Sequence, residues 1–202
     1  ALNLLAQRAV PMMGNGGRIV AMSSLGSVRA MPNYAFIGAS KAALESLGLA
    51  TRTLYPSLLR PIDREIPNVD PDLHGYYWHG AGRAMYFEPA GMLPSVNAPW
   101  RVIRRLDEEA PHDLARKNIL AGVAWALTVV NMRHTTVMEA FLRHHGQLAM
   151  ENDAFSNGVT SAMMMRFDTT REDTWIRPFV SNVPAGDEAA VDAPLEPEHR
   201  AA

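Results

Sequence analysis

The sequence predicts an α/β segment at the amino terminus that is joined to a mainly α-helical segment. Within residues 1–52, a glycine-rich loop, a short apolar strand and a helix follow one another. Within residues 97–183, apolar side chains recur at helical spacing. Between these two parts, residues 53–96 form a proline-rich stretch that we interpret as a linker or an extended wrap, and residues 184–202 are predicted to be a disordered tail.

Composition and charge exclude several classes of function. The 202 residues are 48% hydrophobic and 20% charged, as in folded domains, and the net charge of −2 gives no support for nucleic-acid or membrane partners. The absence of cysteine excludes disulfides, thiolate metal sites and a cysteine nucleophile. The longest nearly apolar run, residues 119–130, is shorter than the roughly 20 residues that span a bilayer, and no signal peptide is evident. We therefore expect a cytoplasmic protein.

A tyrosine and a lysine carry the chemistry of the first segment. Residues 18–22 are predicted to form a buried strand, and Tyr34 is predicted to open a helix that continues through Lys41 and Leu47. Because Tyr34 and Lys41 are almost two helical turns apart, their side chains can emerge on one face. The ammonium would favour the phenolate, and the phenol could donate to a substrate oxyanion. On spacing alone, a partly buried tyrosine and a solvated lysine remain the more common explanation.

The string around this pair resembles the enoyl-acyl-carrier-protein reductase branch of the short-chain dehydrogenase/reductase superfamily. The matching features are a strand that ends in Ser23, a Pro-Asn-Tyr sequence that ends at Tyr34, six residues between that tyrosine and Lys41, and the Leu44-Glu45 pair that follows. The resemblance implies a Rossmann-type reductase and an active site that contains Tyr34, Lys41 and Ser23. It implies that the tyrosine donates to the thioester oxygen of an acyl thioester substrate, while the lysine binds the ribose of NAD(P)H.

The part of this family that holds the cofactor phosphates has no counterpart in the sequence. In the family, the glycine-rich turn lies on the first strand, far upstream of the tyrosine. The glycines at residues 14–17 precede a strand, and those at residues 80–82 follow no strand, so neither group is such a turn. We therefore expect NAD(P)H to serve the complete enzyme and to bind poorly here. Together with the missing initiator Met, this predicts a fragment or fusion that is inactive on its own.

A second resemblance concerns residues 79–166. These residues are similar to an uncharacterised family that is encoded beside enediyne polyketide synthases. No catalytic residue can be transferred from that family. The alternative function is therefore a non-enzymatic α-helical binding or interaction protein in polyketide biosynthesis. The sequence leaves open whether the chain forms a homo-oligomer, and no internal repeat is evident in it.

Three apolar stripes predict the helices of the second half. We expect Pro111 in a first helical turn, a capping box formed by Thr136 and Glu139, and Asp153 as the cap of a third helix. The predicted core comprises Ile119, Val123, Leu127, Phe141, Leu142, Phe155 and Val159. In contrast, seven prolines within residues 53–99 predict that this stretch contains no long helix.

No metal site is predicted from the sequence. The side chains of His134, His144, His145 and Glu139 are ligands by type, but their spacing forms no compact face on a helix, so a structural or solvated role is expected. The three methionines at residues 163–165 are expected in a helix–helix contact. The arginines at residues 101, 104 and 105 are expected to form a salt-bridged, solvated face.

Overall fold

The computed structural model describes residues 35–69, 71–88, 91–170 and 174–182, which contain eight α-helices and no strand. The helices are α1 (Ala35–Leu54), α2 (Leu59–Val69), α3 (His74–Phe87), α4 (Asn97–Glu109), α5 (Asp113–Asn131), α6 (Thr135–Met150), α7 (Ala154–Thr170) and α8 (Ile176–Val180). The mainly helical character predicted for the second half is confirmed. The strand predicted at residues 18–22 and the tail at residues 184–202 lie outside the described residues. None of the described helices is long and apolar enough to span a bilayer.

Helices α1, α3, α5 and α7 lie side by side in one row. Each of them makes its most extensive contacts with the next helix of the row. Contacts between α1 and α3 progress in the same direction along both helices, from Lys41 and Tyr76 to Arg52 and Glu88. Neighbouring helices of the row are therefore parallel. Helices α2, α4 and α6 each lead the chain from the C-terminal end of one helix of the row back to the N-terminal end of the next.

The helices of the row cross at glycines. A Cβ atom at Gly80 would overlap the backbone carbonyl of Glu45 on α1, and one at Gly122 would overlap the carbonyl of His79 on α3. Only a hydrogen atom fits at these crossings, because the neighbouring backbone occupies the place of the side chain. The same holds at Gly48, Gly82 and Gly158.

The buried core lies between the row and the helices that connect it. Five predicted core residues are buried, as expected: Ile119, Val123, Leu127, Phe141 and Phe155. Val159 is half-buried and packs against this core. The prediction for Leu142 is wrong, since its side chain is 42% exposed. Phe141 stacks on Phe155 with 5.2 Å between ring centroids, and Leu142 points about 100° away from it around α6.

The expectation that prolines exclude long helices from residues 53–99 is wrong, since α3 alone is 14 residues long. Pro56 and Pro71 each begin a 3₁₀ turn, at Pro56–Leu58 and Pro71–Leu73. Pro61 lies in the first turn of α2, where a missing N–H breaks no helical hydrogen bond, and Pro67 lies near the end of that helix. These prolines therefore lie before the helices or near their ends, and α2 and α3 form in spite of them. The proposed division of the chain into separate units stays a prediction.

Two of the three predicted helix starts differ from the observed ones. Helix α5 begins at Asp113, two residues after Pro111, and its N-cap is His112, whose ring accepts a hydrogen bond from the backbone N–H of Ala115. Helix α6 begins at Thr135, so Thr136 is already inside it, and no side chain caps its N-terminus. Asp153 lies immediately before α7, where its carbonyl accepts the first helical hydrogen bond.

Substitution of Gly122 by alanine tests the importance of the close crossings. We expect Gly122→Ala to lower the free energy of unfolding by about 1–3 kcal/mol, because the methyl group forces α3 and α5 apart. Gly146→Ala on α6 is the matched control, since no atom lies within 4 Å of its Cβ position. This control should leave stability unchanged or raise it by up to about 1 kcal/mol. Urea unfolding followed by circular dichroism measures both; equal effects of the two substitutions would contradict the close-crossing explanation.

Candidate functional site

Of the three predicted active-site residues, only Lys41 falls within the described part of the chain. Ser23 and Tyr34 lie outside it, so the predicted pairing of the tyrosine with the lysine stays a prediction. Lys41 lies on α1 and is half-buried. Its Nζ atom is 4.8 Å from the centroid of the Tyr76 ring on α3, which is within the range of a cation–π contact. The lysine side chain therefore contacts a helix that comes after residues 1–52 in the sequence.

Charged and aromatic side chains of three helices contact one another near Lys41 on α1. Glu45 follows it by one turn on α1 and accepts a 3.0 Å hydrogen bond from Nη1 of Arg83 on α3. The guanidinium carbon of Arg83 in turn lies 3.7 Å from the ring centroid of Trp125 on α5. These four side chains and Tyr76 form what we call the Lys41 face. It exists because α1, α3 and α5 are parallel and closely spaced.

Burial dominates the electrostatics of the Lys41 face. Burial raises the pKa of Glu45 and lowers that of Arg83, although each charge favours the other. The free-energy cost of desolvating the two charges therefore exceeds the free energy gained from their attraction, as is common for buried ion pairs. Burial, with a smaller effect of Arg83, lowers the pKa of the neighbouring His79 to about 4, so this histidine is neutral at pH 7.

A second charged cluster links the ends of α1, α3 and α4. The buried Arg52 donates to both carboxylate oxygens of Glu109, at 2.6 and 2.8 Å, and to Glu88 at 3.0 Å. Arg105 also forms a salt bridge with Glu109, in agreement with the salt bridges predicted for the arginines of this helix. Arg101 instead donates to backbone carbonyls at the end of α3. A pocket of about 440 Å³ beside Arg52 is lined by guanidinium groups and carboxylates together.

A third cluster surrounds the buried carboxylate of Asp63 on α2. Its Oδ1 atom lies 2.5 Å from Nε2 of His74, accepts a 2.5 Å hydrogen bond from Nε1 of Trp78, and lies 3.2 Å from Nε2 of His112. We call these four residues the Asp63 cluster. Burial raises the pKa of Asp63, but the hydrogen bonds from the histidines and Trp78 outweigh it, and the pKa lies below its usual value. The carboxylate is therefore ionised at neutral pH.

Sequence reasoning missed the Asp63 cluster for a specific reason. Asp63 and His74 lie in the stretch that was interpreted as a linker, and His112 lies at the N-cap of α5. The only local signal is the spacing of His74 and Trp78, which are four residues apart and so share one face of α3. That spacing says nothing about a carboxylate on α2.

The histidines that the sequence analysis considered are dispersed. His134 is exposed at the N-cap position of α6, and Glu139 accepts a hydrogen bond from Asn182 at 2.7 Å. His145 packs against Trp100 and Phe141, with ring centroids 5.2 Å apart in both pairs. Among the methionines at residues 163–165, the outer two are half-buried and the central one is exposed.

The lowered pKa of His79 predicts a loss of stability in acid. Between its usual pKa of 6.5 and about 4, the unfolded chain binds a proton at this residue and the folded chain does not. The free energy of unfolding should therefore fall as the pH falls through this range, by up to about 1.4 kcal/mol per pH unit. His79→Gln should reduce that slope in urea unfolding at pH 7, 6 and 5, whereas His134→Gln, which changes an exposed histidine, should keep it. A slope unaltered by His79→Gln would refute the prediction.

Comparison with known proteins finds a similarity over the amino-terminal residues. Residues 1–54 match the family model described as Enoyl-(Acyl carrier protein) reductase. The 1-cyclohexenylcarbonyl-CoA reductase of Streptomyces collinus is 68% identical over 41 residues, which are 20% of this chain and 15% of that protein. The enoyl-acyl-carrier-protein reductase (NADH) of Neisseria meningitidis serogroup B is 53% identical over 47 residues, or 23% of this chain and 18% of that protein.

A further relative covers the same short part of the chain. The enoyl-acyl-carrier-protein reductase (NADH) of Synechocystis sp. is 44% identical over 45 residues, which are 22% of this chain and 17% of that protein. The chain thus spans less than a fifth of the length of each of these curated relatives. No solved structure matches the chain.

The matched residues end with the last residue of α1, and the resemblance suggested for residues 79–166 stays a prediction. The similarity predicted from the motif around Tyr34 and Lys41 is confirmed: residues 1–54 are similar to the enoyl-acyl-carrier-protein reductases.

Proposed function

We propose that residues 1–54 are an oxidoreductase segment of the enoyl reductase type, and that this chain does not reduce an acyl thioester on its own. In this proposal Tyr34 and Lys41 keep their family positions, and α1 serves as the first helix of the row. The observation that carries the proposal is the packing of α1. Its Glu45 is paired with Arg83, and its Gly48 is in direct contact with the backbone of α3.

The described residues do not fit a nicotinamide dinucleotide. Binding of the pyrophosphate requires glycines whose backbone is open to the ligand, at the turn between a strand and a helix. Four glycines of α3, α5 and α7 are instead covered by the backbone of neighbouring helices: Gly80, Gly82, Gly122 and Gly158. Lys41, which would bind the ribose, lies against the Tyr76 ring. We therefore derive no hydride-transfer step for this chain.

A second candidate function is a non-enzymatic binding module for acyl chains in a polyketide or fatty-acid context. It is favoured by a pocket of about 450 Å³ between α1 and α2. The lining is apolar except for one carboxylate: Leu44, Leu47, Pro61, Ile62, Glu65, Ile66 and Leu73. Such a mainly apolar concavity is typical of sites for small apolar ligands.

Cofactor titration tests the principal proposal. NADH and NADPH are titrated against the purified chain by fluorescence, and oxidation of NAD(P)H is followed with a crotonyl thioester. We expect no saturable binding at micromolar cofactor and no turnover, because no phosphate-binding turn is formed by the described residues. Micromolar binding that Lys41→Met weakens would contradict the proposal, since it would show the lysine in its family role.

Binding of an acyl thioester in the absence of cofactor tests the second candidate. A decanoyl thioester should bind the wild-type chain, and Leu47→Glu should weaken binding about tenfold or more, because it places a carboxylate in the apolar pocket. Leu47 is 40% exposed, so this change should leave the fold intact. Leu142→Glu, at a similarly exposed leucine of α6, is the matched control. Equal binding by both variants would exclude the pocket as the site.

A further inference from the structure

The Asp63 cluster brings together three metal-ligand side chains from different helices. One potential ligand atom from each of Asp63, His74 and His112 lies within 4.8 Å of those of the other two. In the part of the chain that the structure describes, this is the one group of three or more such residues with that geometry. We propose that these three side chains bind a zinc ion.

The donor set suits zinc. Two imidazole nitrogens and one carboxylate oxygen are ligands of borderline-soft to hard character, and zinc sites combine them at bond lengths of about 2.0–2.2 Å. Ligand atoms of a tetrahedral zinc ion then lie about 3.4 Å apart. His112 Nε2 is already 3.2 and 3.3 Å from the two oxygens of Asp63. His74 Nε2 is closer, at 2.5 Å from Oδ1, so it must move outwards by about 1 Å.

The carboxylate is already oriented for such a role. Trp78 donates from Nε1 to Oδ1 of Asp63 at 2.5 Å, whereas the hydrogen bond found at Oδ2 is the long one to His112. Trp78 thus fixes Oδ1, the oxygen that also lies beside both histidines, while Oδ2 faces His112. Hydrogen bonds of this kind to the ligands of a metal raise affinity by fixing the ligand geometry.

Zinc binding competes with the capping role of His112. Its Nδ1 atom accepts from the backbone N–H of Ala115, so the neutral ring carries its proton on Nε2, facing Asp63. Coordination through Nε2 moves that proton to Nδ1 and breaks the cap. The loss of this N-cap should lower the zinc affinity roughly 5- to 30-fold. Protein zinc sites bind tightly enough that zinc would still bind at micromolar concentration after such a loss.

The ion has a route into the site. The side chains of Asp63 and His74 are only 9% and 11% exposed, but that of His112 is 37% exposed. Zinc can therefore reach the cluster from the side of His112. Three protein ligands leave a fourth position, which in zinc sites of this composition is filled by water or another small ligand.

The proposal is tested with zinc chloride and the full chain without a histidine tag. Isothermal titration should give one zinc ion per chain. At free zinc 100-fold above the dissociation constant, the melting temperature should rise by about 5–10 °C, and magnesium should leave it unchanged. Stoichiometric binding with no rise in melting temperature, or no stoichiometric binding, would overturn the proposal.

Two asparagine variants locate the ion. His112→Asn removes a ligand but retains an N-cap, because asparagine is a good capping residue, and it should weaken zinc binding by roughly 100-fold or more. His134→Asn is the matched control, since His134 occupies the N-cap position of α6 and is exposed. It should bind zinc as the wild type does. Unchanged affinity in His112→Asn, or a loss in His134→Asn, would place the ion on surface histidines and refute the assignment.

Discussion

The rest of the structure depends on the direct backbone contact between parallel helices. At each crossing in the row a glycine removes the side chain that would keep two helices apart, as at Gly80 against Glu45 and Gly122 against His79. The helices therefore approach more closely than ordinary core packing allows, and their polar neighbours are brought within hydrogen-bonding distance. The Glu45–Arg83 pair and the contact of Arg83 with Trp125 lie beside these crossings and span the same three helices.

This constraint also explains the setting of the reductase-like segment. Helix α1 contributes Lys41 and Glu45, which lie in residues similar to the enoyl reductases, yet both side chains contact α3. At the other end of α1, the buried Arg52 is held by Glu88 and Glu109. Each contact joins a residue of the matched segment to one outside it. The helix is therefore part of the same packed core as α3.

The sequence allowed the helices of the second half to be predicted, because apolar periodicity depends only on local spacing. Ile119, Val123 and Leu127 illustrate this, since one stripe on α5 accounts for their burial. Long-range features could not be predicted in this way. Whether Pro61 interrupts a helix depends on its position within the turn, and the partners of Asp63 come from α3 and the start of α5. The Tyr34–Lys41 motif was identifiable by resemblance, but the contact of Lys41 with Tyr76 was not.

The arrangement in a row has a consequence for local unfolding. Since each helix of the row packs mainly on its immediate neighbours, stability is distributed as in a one-dimensional chain of coupled units. Within the described part, α3 and α5 are held on both sides, whereas α1 and α7 are held by one neighbour of the row each. Opening should therefore begin at the two ends and cost least there. Amide hydrogens in the middle of α5 would then exchange through the largest opening events, and those of α1, the helix that carries Lys41, through smaller ones.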